Sequence, residues 1–187
     1  VGGANYGTDG QVLTSGGAGA APAWEDSSCV AGKVEGTNFT DSLLVGHTTT
    51  GTLNAANENV IVGIDAGDAI TSGDENVIIG FQAGTGSTTG YRNTVVGSQA
   101  GRTIGIGHSN VALGRYSLKT VGGGNSNTAI GNNALQLTTG DKNIGLGFAA
   151  GDNITSGDGN VIIGSINADS ATGDTQLIVA DGVDGSV

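Results

Sequence analysis

The sequence predicts an all-β repeat fold, a parallel β-roll or β-solenoid with coils of about 17 residues, and three observations carry that prediction. A phrase of Asn, three mostly apolar residues and Gly begins at Asn59 and returns at Asn76, Asn93, Asn110, Asn127, Asn143 and Asn160, at spacings of 17, 17, 17, 17, 16 and 17. A period of that size marks stacked supersecondary units. The 37 glycines, single proline, absent methionine and 4% aromatic content do not describe an ordinary globular core. Gly has no every-third-residue period, which excludes collagen, and 36% hydrophobic residues argue against simple disorder. Lastly, the residues between Asn and Gly are apolar at both parities, the mark of a short strand buried on both faces.

In chain order, residues 1–26 carry no repeat and are rich in Gly and Ala. They hold the apolar patch Gln11, Val12, Leu13, Thr14, read as one short strand, and the dipeptide Ala23-Trp24 after Pro22. The run Tyr6-Gly7-Thr8-Asp9-Gly10-Gln11-Val12-Leu13-Thr14-Ser15, followed by Gly-rich residues up to Trp24, resembles a joint module of bacteriophage tail fibres. Residues 27–41 read as a connector, 42–181 as the β-roll repeat domain, and 182–187 as a polar tail. Degenerate copies at Ser42, Leu43, Leu44, Val45, Gly46 and at Gln176, Leu177, Ile178, Val179, Ala180 suit capping coils. The 16-residue cycle loses its residue between Gly131 and Gly140.

Counting each Asn as position 0, positions +1 (Val60, Val77, Thr94 and successors) and +3 (Val62, Ile79, Val96 and successors) share one face of a strand and are expected to line the interior. Small residues at +7 (Ala66, Ala83, Ala100, Ser117, Ala134, Ala150) predict a second strand, and Ile70, Ile104, Val121 and Ile154 at +11 predict more core. Gly63, Gly80, Gly97, Gly114, Gly131, Gly147 and Gly164 at +4, and a second Gly three residues before each Asn, are expected corners with positive φ. Position +2 is then expected to face away from the core. It holds Ile61, Ile78, Val95, Ala112, Ala129 and Ile162, an apolar stripe that calls for partner chains and so for a homo-oligomer, most simply a trimer.

Phrases such as Asn127-Thr128-Ala129-Ile130-Gly131, followed by Ala134-Leu135 and Thr138-Thr139-Gly140, resemble the head repeats of trimeric autotransporter adhesins, which form a left-handed parallel β-roll. They are still more similar to the repeat arrays of viral and bacterial tail-fibre proteins. The resemblance implies a structural segment of a phage tail fibre located in the virion: a rigid, intertwined or side-by-side homotrimer, in contact with other virion or fibre proteins and contributing to host-surface attachment. The head of a bacterial cell-surface adhesin is the alternative, and a calcium- or ice-binding solenoid is a third reading. The ice reading is disfavoured by the lack of a repeated Thr-x-Thr array on a flat strand.

Charge narrows the partners. Six Lys and Arg against 17 Asp and Glu leave a net charge of −11, which argues against nucleic acid. No run of 18 apolar residues supports membrane insertion. Five cations, Arg92, Arg102, Arg115, Lys119 and Lys142, fall in one stretch with a single acid, Asp141. At position +9, Arg102 and Lys119 should be neighbours on adjacent coils, and like charges side by side are unfavourable unless solvated or serving a ligand. Arg102, Arg115 and Lys119 are therefore a candidate surface for an anionic host glycan, weighed against a simple solvated face. Tyr91 and His108 share position −2 on neighbouring coils.

No catalytic constellation, cofactor site or metal site is predicted. A side-chain ladder between coils accounts for the stacked asparagines without a ligand. Gly73-Asp74-Glu75-Asn76 and Gly157-Asp158-Gly159-Asn160 are similar to calcium-binding nonapeptide repeats, yet most cycles lack that Gly and Asp spacing. His47 and His108 lie in different cycles without a third ligand, and Cys29 stands alone. The acids Asp65, Asp68 and Asp152 scatter over corners, and Gly122-Gly123-Gly124 lacks the strand, helix and Lys of a phosphate loop.

Overall fold

A computed structural model describes residues 11–14, 23–26, 32–34, 43–46, 54–120 and 122–180. Cys29, His47, Val121 and the tail after residue 180 lie outside the described residues. The chain divides into two units, Val1–Ala31 and Gly32–Val187. In the first, β1 (Gln11–Thr14) pairs antiparallel with β2 (Ala23–Asp26), Leu13 opposite Trp24. The predicted strand is thus half of a two-stranded ribbon.

The second unit is a parallel β-solenoid of about 17-residue coils. Nine three-residue strands, β4 (Leu43–Val45), β5 (Val60–Val62), β6 (Val77–Ile79), β7 (Thr94–Val96), β8 (Val111–Leu113), β9 (Thr128–Ile130), β10 (Ile144–Leu146), β11 (Val161–Ile163) and β12 (Leu177–Val179), stack in sequence order in one sheet. Pairing is in register, each position opposite its equivalent on the next coil, as in Ile61 with Ile78. The degenerate copies obey the same rule at β4 and β12. A tenth strand, β3 (Gly32–Val34), pairs antiparallel to β4 and covers that edge of the sheet, which would otherwise expose an unpaired ladder. It comes from the segment read as a connector.

The two faces of each strand are the reverse of the sequence expectation. Ile61, Ile78, Val95, Ala112, Ala129 and Ile162 at +2 are fully buried inside the chain itself, so they cannot form a surface between chains. Positions +1 and +3 face outward, with Val60, Ile79, Ile130 and Ile163 each more than a third exposed. The reason lies in position 0. The Asn side chains are buried, and alternation along a strand puts 0 and +2 on the same side.

Each coil has one strand, not two. The stretch from +5 to +10 is a run of turns, although it still bonds coil to coil, as in Gly67 N–H to the Ala83 carbonyl (2.9 Å) and Gly84 N–H to that of Ala100 (2.9 Å). Among the two sets of corner glycines only +4 has positive φ, for example 137° at Gly63 and 133° at Gly80. The glycines before each Asn are needed for a different reason: a Cβ on Gly73 would collide with the Gly90 carbonyl oxygen of the next coil. Left-handed backbone also recurs at −1, +6 and +8: Glu75, Arg92, Gln82 and Tyr116 have φ of 53–61°, and at +8 Gly67, Gly84, Leu118 and Leu135 have φ of 44–56°.

Inside the coil, volumes trade between +2 and +8. Ile61, Ile78 and Val95 face Gly67, Gly84 and Gly101, whereas Ala112 and Ala129 occur with Leu118 and Leu135, both fully buried. A Cβ on Gly84 would meet Ile78 Cδ1 of its own coil at 3.0 Å, and one on Gly145, the +2 residue of the following coil, would meet Leu135 Cγ at 2.7 Å, so the trade also runs between neighbouring coils. A large side chain at one position thus excludes a large one at the other, as dense packing requires. Ile70, Ile104 and Ile154 at +11 complete the core.

Candidate functional site

The asparagine column is a closed hydrogen-bond ladder. Asn93 Nδ2 donates to Asn76 Oδ1 (3.1 Å) and to the Gly107 carbonyl (2.9 Å), and the Asn93 backbone N–H also reaches Asn76 Oδ1 (3.0 Å). The same set recurs from Asn76 to Asn160, Asn59 Nδ2 donating instead to the Asn57 (2.9 Å) and Gly73 (2.8 Å) carbonyls, and Gln176 takes the Asn place at the last coil, its N–H and Nε2 both donating to Asn160 Oδ1 (2.9 and 3.0 Å). With each Oδ1 accepting two bonds and each amide donating two, the column has no capacity left for a ligand.

A second ladder runs at −2. The N–H of Asn57, His108, Asn125, Asp141 and Asp158 donates to the side-chain oxygen of Asp74, Asn125, Asp141, Asp158 and Asp174 on the following coil, at 2.7–3.1 Å. Backbone amides thereby hold the stacked carboxylates Asp141, Asp158 and Asp174. Where the column turns aromatic, Tyr91 and His108 stack with centroids 4.7 Å apart and planes 15° from parallel. Arg92 binds Glu75 across coils with both Nε (3.0 Å) and Nη2 (3.1 Å). Hydrogen bonding to Arg92, then its charge, holds the Glu75 carboxyl below its usual range. Both side chains are exposed, so this pair adds little to stability.

The central cations gather around one ring. The Arg115 guanidinium lies 4.0 Å from the Tyr116 ring centroid and donates from Nη2 to the Tyr116 hydroxyl (2.8 Å), while Lys119 Nζ lies 4.7 Å from the same centroid. Thr103 N–H bonds to the Lys119 carbonyl (3.0 Å), so Arg102 and Lys119 do belong to adjacent coils. No salt bridge joins Arg102, Arg115 or Lys119 to an acid among the described residues. The residue missed by sequence reasoning is Tyr116 as the centre of the group; it holds +6 beside Arg115 at +5, and a turn there points the two side chains together.

Among the described residues no three His, Cys, Asp or Glu side chains gather as a metal site. No described helix is long and apolar enough to cross a membrane. Comparison with protein-family models, with curated proteins and with solved structures finds no match for this chain.

Proposed function

We propose that this chain is a structural segment of a viral (phage) tail fibre, a rigid homotrimeric rod whose role is shape and spacing. The observation that carries the reading is the outward sheet face. Its +1 and +3 columns are almost wholly apolar over nine strands, and Ile64, Phe81 and Phe148 at +5 extend it at the corner. Nine strands at about 4.8 Å and three residues at about 3.3 Å give a face of roughly 38 Å by 10 Å before the corner is added. An apolar strip of about 380 Å² ranks with the largest patches that monomers carry, which are often interaction sites.

The spacing of the face favours a second copy of the chain as its cover. Side chains recur along it at the coil repeat, and only a surface with the same rise meets all of them in phase. Three chains around one axis give each copy an identical setting and close the assembly. The similarity of the repeats to tail-fibre arrays, and of residues 6–24 to a fibre joint, supports the same conclusion. Three copies also present identical sides, so weak lateral contacts with a host surface add through effective concentration.

Sedimentation equilibrium of the full chain at micromolar concentration tests assembly: the expected species has three times the 18.1 kDa chain mass, and a monodisperse monomer overturns it. Immunogold labelling with antibodies to the repeat domain tests the setting. Decoration of fibres on virus particles is expected, and decoration of a bacterial cell surface instead overturns the viral reading.

A further inference from the structure

We propose that Arg102, Arg115, Tyr116 and Lys119 form a binding site for an anionic saccharide, carboxylated or sulfated, complete within one chain and independent of the oligomeric reading. Two cations are held against a single tyrosine ring, at 4.0 and 4.7 Å from its centroid, in a molecule whose net charge is −11. The ring quadrupole offsets part of their mutual repulsion. It also fixes both charges in place, and an anion between them would complete the balance.

The surroundings are polar where the same positions elsewhere are apolar or acidic. At +5, Arg115 stands between Ser98 and Asn132, while other coils carry Ile64, Phe81 and Phe148 there. At +9, Arg102, Lys119 and Gln136 are consecutive, and the flanking acids Asp68 and Asp152 stand two coils from Arg102 and Lys119 respectively, about 10 Å away at the coil rise. That is about one Debye length at physiological salt, so their fields are largely screened at this patch. Gln99 at +6 of the preceding coil and the exposed Asn132 supply amide donors and acceptors on either side.

This set matches a charged sugar. Arg115 and Lys119 take the carboxylate or sulfate, the guanidinium by paired N–H donors and the ammonium as a point charge. Gln99 and Asn132 suit ring hydroxyls, and the Tyr116 ring edge offers an apolar contact. Arg102, one coil along, is placed for the next anionic unit of a chain. Nucleic acid fits poorly, because three cations on a strongly acidic molecule neutralise few phosphates.

The test is titration calorimetry of the full chain with a heparin-derived tetrasaccharide at about 0.15 M salt, where the acids two coils away are screened. Inorganic polyphosphate, a neutral maltotetraose and a short DNA duplex serve as comparison ligands. Arg115→Glu with Lys119→Glu should weaken tetrasaccharide binding by at least about tenfold. Arg92→Glu with Lys142→Glu makes the same change in net charge away from the patch and should change it by less than about threefold. Tyr116→Asn, a residue that tolerates the left-handed φ of 61° and stands at the same position in Asn133, should weaken the tetrasaccharide more than the polyphosphate. Absence of binding by the unmodified chain, equal losses in the two charge-reversed pairs, equal effects of Tyr116→Asn on both anions, or tighter binding of the duplex would each overturn the site. Circular dichroism of every variant confirms the fold.

Discussion

Asn110 shows how much a single residue holds in this chain. Its Oδ1 accepts from Asn127 N–H (2.9 Å) and Asn127 Nδ2 (3.3 Å), and its Nδ2 donates to Asn93 Oδ1 (3.1 Å) and the Gly124 carbonyl (2.9 Å). Asn110→Ala leaves several of these buried groups unpaired, at about 1–3 kcal/mol each, so a loss of about 3 kcal/mol or more is expected in thermal unfolding. Asn110→Asp is worse near neutral pH, since a buried carboxylate then faces two acceptors. Such surroundings raise the folded-state pKa of the new carboxyl, so the folded state binds the extra proton and the penalty shrinks as pH falls toward about 4. A melting temperature for Asn110→Asp that falls, relative to the unmodified chain, between neutral pH and about pH 4 would contradict the ladder.

At the scale of the coil, the exchange of volume between +2 and +8 makes a quantitative claim. Ile78→Ala alone should cost about 2–5 kcal/mol through the cavity it leaves. Gly84→Leu alone should cost about 1–3 kcal/mol by crowding Ile78, with about 1–2 kcal/mol more for a side chain at the left-handed φ of 55°, which Leu118 and Leu135 already adopt at the same position. Together they place Ala at +2 and Leu at +8, as at Ala129 and Leu135, with polar Ser87 at +11 as Thr138 is there, the difference being Val95 on the following coil where Leu135 meets Gly145. The double variant should therefore be more stable than the sum of the single losses by at least about 1 kcal/mol, read from a double-mutant cycle of unfolding free energies. Simple additivity would show that the two positions do not share one space.

The coil is also where sequence reading succeeded and failed for visible reasons. Repetition, register, the capping copies, the Asn ladder and the pairing of Tyr91 with His108 follow from spacing, because in-register stacking turns a column in the sequence into a column in space. The inside of the strand does not follow from hydrophobicity, because a three-residue strand apolar at every position carries no alternation to read. The deciding signal was present in Asn59 and its equivalents: if those amides stack inside, +2 is inside with them. The second strand was over-read from small residues at +7, which are small because turns crowd them. The Arg115–Tyr116–Lys119 group was half legible, its charges by column and its aromatic centre only in three dimensions.

For the whole molecule, the inversion of the two faces moves the proposed assembly surface from the +2 column to the outward face of the sheet. The exposed apolar stripe is the +1 and +3 set, on which the proposed trimer rests, and the former +2 stripe is the private core of the chain. Net charge of −11 opposes self-association, so the proposed contact between copies would rest on this apolar face and not on electrostatic attraction. Arg102 and Lys119 at +9 lie off the strand, and at the +5 corner the central coils carry Ser98, Arg115 and Asn132 where others carry Ile64, Phe81 and Phe148, so the apolar edge is interrupted there and the ligand group stands beside the strand face and not on it.

The most direct test is sedimentation velocity of a chain carrying Ile79→Lys, Ile130→Lys and Ile163→Lys, three outward +3 positions, beside the unmodified chain and an Ile78→Lys variant of the adjacent inward position. The account predicts a trimer for the unmodified chain, a folded monomer with unchanged circular dichroism for the triple variant, and loss of folding for Ile78→Lys. A triple variant that stays trimeric, or one that unfolds while Ile78→Lys stays folded, would contradict it.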